Sequence, residues 1–137
     1  MNLKEVEQAI IERLKSQITD IPVEAFPERP SEYRLRHASG VLLVVYRGSK
    51  YSESQSAGLA VQARTQEWDI VIISRNLRSH SSAYDLLDQV RAALSGFRPV
   101  STAEVMVPVR EAFINEVNGI WQYGITFTFS ETYVANA

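Results

Sequence analysis

The chain contains no cysteine. That absence removes disulfides, thiolate metal centres and cysteine nucleophiles together, and it fits a reducing compartment. Histidine is almost as scarce. His37 and His80 stand far apart, and neither has another histidine or a helical carboxylate at metal-ligand spacing; loop polarity is the plainer reading of both. Lysine is confined to Lys4, Lys15 and Lys50, and none follows the Glu67-Trp68-Asp69 carboxylates at a spacing that would organise a metal and a water for nuclease chemistry. The six glycines form neither a GxGxxG nor a P-loop, so no phosphate cradle can be drawn from them. The serines near His80 lack a GxSxG elbow.

Long apolar runs are also missing. None approaches the ~20 residues that a bilayer-crossing helix needs, and the opening MNLKEVEQAIIERLK carries charge throughout, unlike a secretion signal. Charge is close to balanced, with 14 basic and 16 acidic residues. Segment 38–83 leans basic and segment 84–137 leans acidic, but no concentrated basic face of the nucleic-acid-binding kind emerges. A chain of 137 residues, 45% hydrophobic and 22% charged, is one ordinary globular domain. The expectation is a cytoplasmic single domain without catalytic residues, metal or cofactor, and with neither nucleic acid nor membrane as partner.

What is present is a regular succession of elements. Leu3 to about Gln17 reads as a helix: Asn2 can cap it with Glu5 as partner, and Leu3, Val6, Ile10 and Leu14 form an apolar stripe widened by Ala9, Ile11 and Ile18. Ile21 to Phe26 is a short strand bounded by Pro27 and Pro30, prolines that favour an edge or a loop. Gly40 to Arg47 is almost continuously apolar and β-branched, as in a central strand covered on both faces. Gly48 to Gly58 is serine-rich without apolar periodicity and reads as a mobile loop. Leu59 to Ser74 changes parity between Leu59, Val61, Ala63 and Trp68, Ile70, Ile72, which a bulge near Thr65 to Glu67 would reconcile. Ala103 to Phe113 and Ile120 to Val134 are strands; Asn118-Gly119 between them suits a hairpin turn. Trp121, Tyr123, Ile125, Phe127 and Phe129 share one face of the last strand, a floor for helices rather than a ligand groove. The order predicts an α+β domain, with two helices packed on a mainly antiparallel sheet.

The most legible stretch is Ser74 to Pro99, SRNLRSHSSAYDLLDQVRAALSGFRP. Ser82 with Asp85 fits a helix start, Leu86, Leu87, Val90 and Leu94 give it a buried face, and Gly96 followed by Phe97 and Pro99 ends it, so the helix spans Ser82 to Ser95. The RNLR element (Arg75 to Arg78), AYDLLDQVRAALSGFRP (Ala83 to Pro99), Phe113, and GIWQYGITF (Gly119 to Phe127) together resemble a family of small Mu-like bacteriophage tail proteins related to tail terminators. The resemblance implies a non-enzymatic subunit, part of the finished virion tail, that forms a homo-oligomeric ring, a hexamer in such families. The ring would cap the tail tube, meet sheath or neck proteins and offer a surface to the head; no catalytic residue is carried over. A neck or head-completion adaptor is the alternative within assembly, and a small metal-dependent hydrolase the alternative of another class. The loops put forward as subunit or tail-tube contacts are Arg47 to Gly58, with Arg47, Lys50 and Tyr51, and Arg75 to Arg78, where Arg75 and Arg78 could fork onto a neighbour's carboxylates. Snorkelling over the chain's own surface, or pairing with Asp85, is the competing reading of these arginines.

Overall fold

A computed structural model describes residues 2–27, 40–54, 57–75 and 81–136. The first helix, α1 (Leu3–Gln17), starts as its sequence predicts. Asn2 stays extended and its side chain accepts a hydrogen bond from the Glu5 backbone N–H at 2.8 Å, satisfying one of the donors that a helix start leaves orphaned. Val6, Ile10, Ile11 and Leu14 are buried. The second helix, α2 (Ser81–Leu94), begins one residue before the expected start. Its apolar face, Leu86, Leu87, Val90 and Leu94, is buried as the 3.6-residue period requires. The chain leaves it through Gly96, at φ +79°, whose N–H donates to the Met106 carbonyl at 2.8 Å.

The strands are β1 (Val23–Ala25), β2 (Gly40–Tyr51), β3 (Leu59–Arg75), β4 (Val107–Val117) and β5 (Ile120–Asn136). They form one sheet in the order β1-β2-β3-β5-β4. The expectation of an α+β domain on a mainly antiparallel sheet is corrected here: the fold is dominated by a mixed sheet. β1 runs parallel to β2, with Val23 opposite Leu42, beside the antiparallel pairings of β2 with β3, β3 with β5 and β4 with β5. The physical reason lies in the connection. Fourteen residues separate Ala25 from Gly40, too many for a tight hairpin and enough for the crossover that a parallel neighbour demands.

Three further boundaries differ from the sequence reading. β2 continues through Gly48 to Tyr51, into the segment expected to be loop, because β3 extends alongside it and Tyr51 still pairs with Arg64. The irregularity expected in β3 lies across from it, in β2 between Tyr46 and Gly48, while β3 and β5 stay in register from Leu59–Asn136 to Arg75–Ile120. The change of apolar parity in β3 records a change of surroundings: even-numbered Gln66, Trp68, Ile70 and Ile72 face the helices and are buried, whereas Leu59 and Val61 point to the opposite face. Finally, β4 starts at Val107, not Ala103. Ala103 and Met106 are drawn into the core, and Met106 donates its N–H to the Phe97 carbonyl at 2.8 Å, so this stretch plugs the end of α2 before the strand begins.

Both helices pack on one face of the sheet, α1 over β1 and β2, α2 over β3 and β5. The principal core joins their apolar faces to Leu42, Val44, Trp68, Ile70, Ile125, Phe127 and Phe129. A smaller cluster, Val41, Leu43 and Ile73, is buried on the opposite face, which accounts for the unbroken apolar run at the start of β2. The hairpin between β4 and β5 turns on Asn118 (φ 52°) and Gly119 (φ 79°), the left-handed pair that matches the twist of the strands it joins.

Candidate interaction surface

The sheet outgrows its helices. β3 and β5 have 17 residues each, about 56 Å at the usual rise per strand residue, while α1 and α2, at 15 and 14 residues, are each only about 22 Å long. The far ends of β3 and β5 therefore project beyond the helical layer as a ribbon. Its root is held by a polar network on the helix side: the Trp68 indole donates to the Gln66 side chain at 2.9 Å, Gln66 donates to Glu131 at 3.2 Å, and Arg64 pairs with Glu131 at 3.1 Å. The Arg64 and Glu131 side chains are only 12% and 8% exposed, so each partner shields the other from the cost of burial.

Four of the five residues predicted to make contacts lie among the described residues. Tyr51 ends β2 half-exposed, edge-on to Tyr133 at 5.5 Å and beneath the Arg64 guanidinium at 5.8 Å. Lys50 is exposed beside it. Arg47 is turned back into its own sheet: its guanidinium donates to Asp69 at 3.0 Å, and Asp69 also accepts from the Thr126 hydroxyl at 2.6 Å. That hydrogen bond and the adjacent carboxylate raise the Arg47 pKa further. Arg75 closes β3, half-buried and engaged within the chain. Arg78 lies outside the described residues, as do His37 and His80. The structure thus brings Lys50 and Tyr51 together at the ribbon and sets Arg75 apart at the other end of β3.

On the helix-free face, Arg47, Glu67, Val109, Arg110 and Thr126 line an open depression of about 280 Å³. Glu67 and nearby Asp69 offset the two guanidiniums, so it has no strong charge of either sign. Among the described residues no group of three or more metal-ligating side chains converges, and no helix is long and apolar enough to cross a membrane.

The surface that sequence reasoning missed is β4. All eleven of its residues are exposed. Its outer edge is open, because β4 ends the sheet, and it carries Val107, Val109, Phe113, Ile114 and Val117 at 45 to 57% exposure. Phe113 lies against Trp121 at 5.9 Å and Tyr123 at 5.5 Å, and Tyr84 of α2 joins Tyr123 at 6.2 Å. Burial and the neighbouring Tyr84 push the Tyr123 phenol up. Arg91 of α2 clasps Glu111 with both carboxylate oxygens at 3.1 Å and Asp88 at 2.7 Å; these hydrogen bonds raise its pKa and tie the strand to the helix. Pro108 was the available signal, since a proline inside a strand confines that strand to an edge.

Both helices thus lie on one face of the sheet, and β4 leaves an apolar edge open at its end. The chain belongs to the Gp37 protein family, whose model matches residues 10–137. It is also similar in fold to a chain from the virion of a native gene transfer agent particle, with a TM-score of 0.63 at 12% identity over 93% of this chain and 94% of that one. No curated protein matches it.

Proposed function

We propose that this chain is a non-enzymatic structural protein of a phage or phage-like virion, and within that class a tail terminator or tail-completion subunit. It acts by binding: copies assemble into a closed ring, of six by the resemblance to small Mu-like tail proteins, which caps the finished tube and offers its other face to the neck or head. The observation that carries the reading is the fold likeness, almost end to end in both chains, to a protein of a gene transfer agent virion. The Gp37 family match over residues 10–137 supports it. A cyclic assembly needs two different complementary patches on each subunit, and the β4 edge and the β3/β5 ribbon are two separate exposed surfaces of the required kind. Assembly takes place in the host cytoplasm, and the finished protein stays in the virion tail.

A stop codon early in the gene of the resident phage tests this directly by negative-stain electron microscopy of lysates. The expected result is overlong or unstable tails detached from filled heads. Tails of normal length joined normally to heads would overturn the terminator role.

A further inference from the structure

An aromatic surface lies where α2 meets the β4/β5 hairpin. Phe113 stands opposite Tyr123 in the strand register, and Glu116 opposite Trp121. Residues directly opposite share a face of the sheet, here the face whose core the helices complete. The rings of Tyr84, Tyr123, Phe113 and Trp121 form one chain, each centroid within 6.2 Å of the next. Beneath the helices the aromatic and aliphatic floor of β5 is fully covered, with Ile125, Phe127 and Phe129 at most 2% exposed. At this end the cover runs out: Tyr84 is 52% and Phe113 53% exposed, and Trp121 is half-buried. Large rings held in place by their neighbours yet open to water have the composition of interface centres.

The charges around the rings select the kind of partner. Glu111 and Glu116 flank Phe113 on the same face of β4, and Asp88 follows Tyr84 by one turn of α2. Among the described residues Arg91 is the cation between them, and it is already bound to Asp88 and to both oxygens of Glu111. Glu116 has no ion pair or hydrogen bond, so the surface keeps a surplus of negative charge beside exposed ring faces. Ring faces attract cations, and the chain makes that contact twice within itself, with Arg13 over Phe97 at 5.2 Å and Arg64 over Tyr51 at 5.8 Å. Phe113 carries no such cation among the described residues. A guanidinium can stack on the ring and at the same time donate two parallel hydrogen bonds to a carboxylate, as Arg91 does with Glu111. A quaternary ammonium would leave Glu116 without a donor, and the ammonium of lysine is a strongly hydrated point charge.

We propose that the Phe113–Trp121 surface, edged by Glu116, is the docking site for an exposed arginine of a partner protein in the virion. This inference rests on the assembly reading above and specifies one contact within it.

The chain has two tryptophans, and Trp68 is only 1% exposed, so in isotopically labelled full chain the Trp121 indole signal reports on this surface. Titration with acetyl-Gly-Arg-Gly-amide at low salt should move that signal and the Phe113 and Glu116 backbone amides along one saturable curve, leaving the Trp68 indole in place. The lysine counterpart of the peptide should bind several-fold more weakly. Glu116→Gln and Phe113→Ala should each weaken the arginine peptide about two- to fivefold, whereas Glu12→Gln, exposed on α1, should change nothing. Equal binding of the lysine peptide, or an equal loss in Glu12→Gln, would reduce the effect to general attraction by an acidic chain and overturn the site. Tetramethylammonium binding as tightly as the arginine peptide would overturn the assignment to a guanidinium. A Trp121 signal that does not move would overturn the surface itself. Tail length in the stop-codon phage is scored separately, so a terminator phenotype without arginine binding would refute this contact and leave the function standing.

Discussion

At the scale of single residues, the tightest constraint is at Gly40. Its φ of +145° is one that side-chain-bearing residues rarely adopt, and a Cβ there would run into the backbone carbonyl of Ile73 across the β2–β3 pair. Neither strand can yield, since Val41 and Ile73 are both buried in the second cluster. Gly40→Ala should therefore cost about 2 kcal/mol or more, read as a lower urea midpoint at unchanged slope. A midpoint within error of the parent would show that the strand end relaxes freely. The sequence showed Gly40 only as the residue before an apolar run. Its close approach to Ile73 depends on a strand more than thirty positions later. The arginines teach the same lesson: Arg47 resembled a free contact residue until the fold put Asp69 within reach of its guanidinium.

At the scale of elements, both helices were legible because each carries its own ends and its own apolar stripe. Asn2 with Glu5, and Gly96 with Phe97, are local signals that need no partner strand. The strands were legible in number but not in extent, because a strand stops where its neighbour stops. β2 runs four residues past its expected end because β3 is there to receive it, and β4 begins four residues late because Met106 is claimed by the core. The tie between α2 and β4 offers a check on energetics. Arg91 and Glu111 are 39% and 42% exposed, so solvent screens the pair despite its two-pronged geometry. Arg91→Ala should lower stability by no more than about 1 kcal/mol while loosening β4, visible as faster amide exchange from Val109 to Phe113 at nearly constant global stability. A loss of several kcal/mol would mean that the pair carries the strand.

At the scale of the whole molecule, stability should follow the helical layer. Residues around Trp68, Ile70, Ile125 and Phe127 lie beneath α2 and are at most 1% exposed, so their amides should exchange only through global unfolding. In the isolated subunit the ribbon, 59–63 and 132–136, should exchange orders of magnitude faster; assembled particles should protect it together with the β4 edge. A ribbon as protected in the subunit as the core would remove the reason to place it in an interface. Taken alone, the sequence determined the helices, the hairpin turn and the buried face of β5, because each depends on residues close together in the chain. The tertiary structure alone decided the parallel placement of β1, the overhang of β3 and β5 beyond the helices, and the capture of Arg47 by Asp69. These depend on strand order and on the mismatch between strand and helix lengths, which no local pattern encodes.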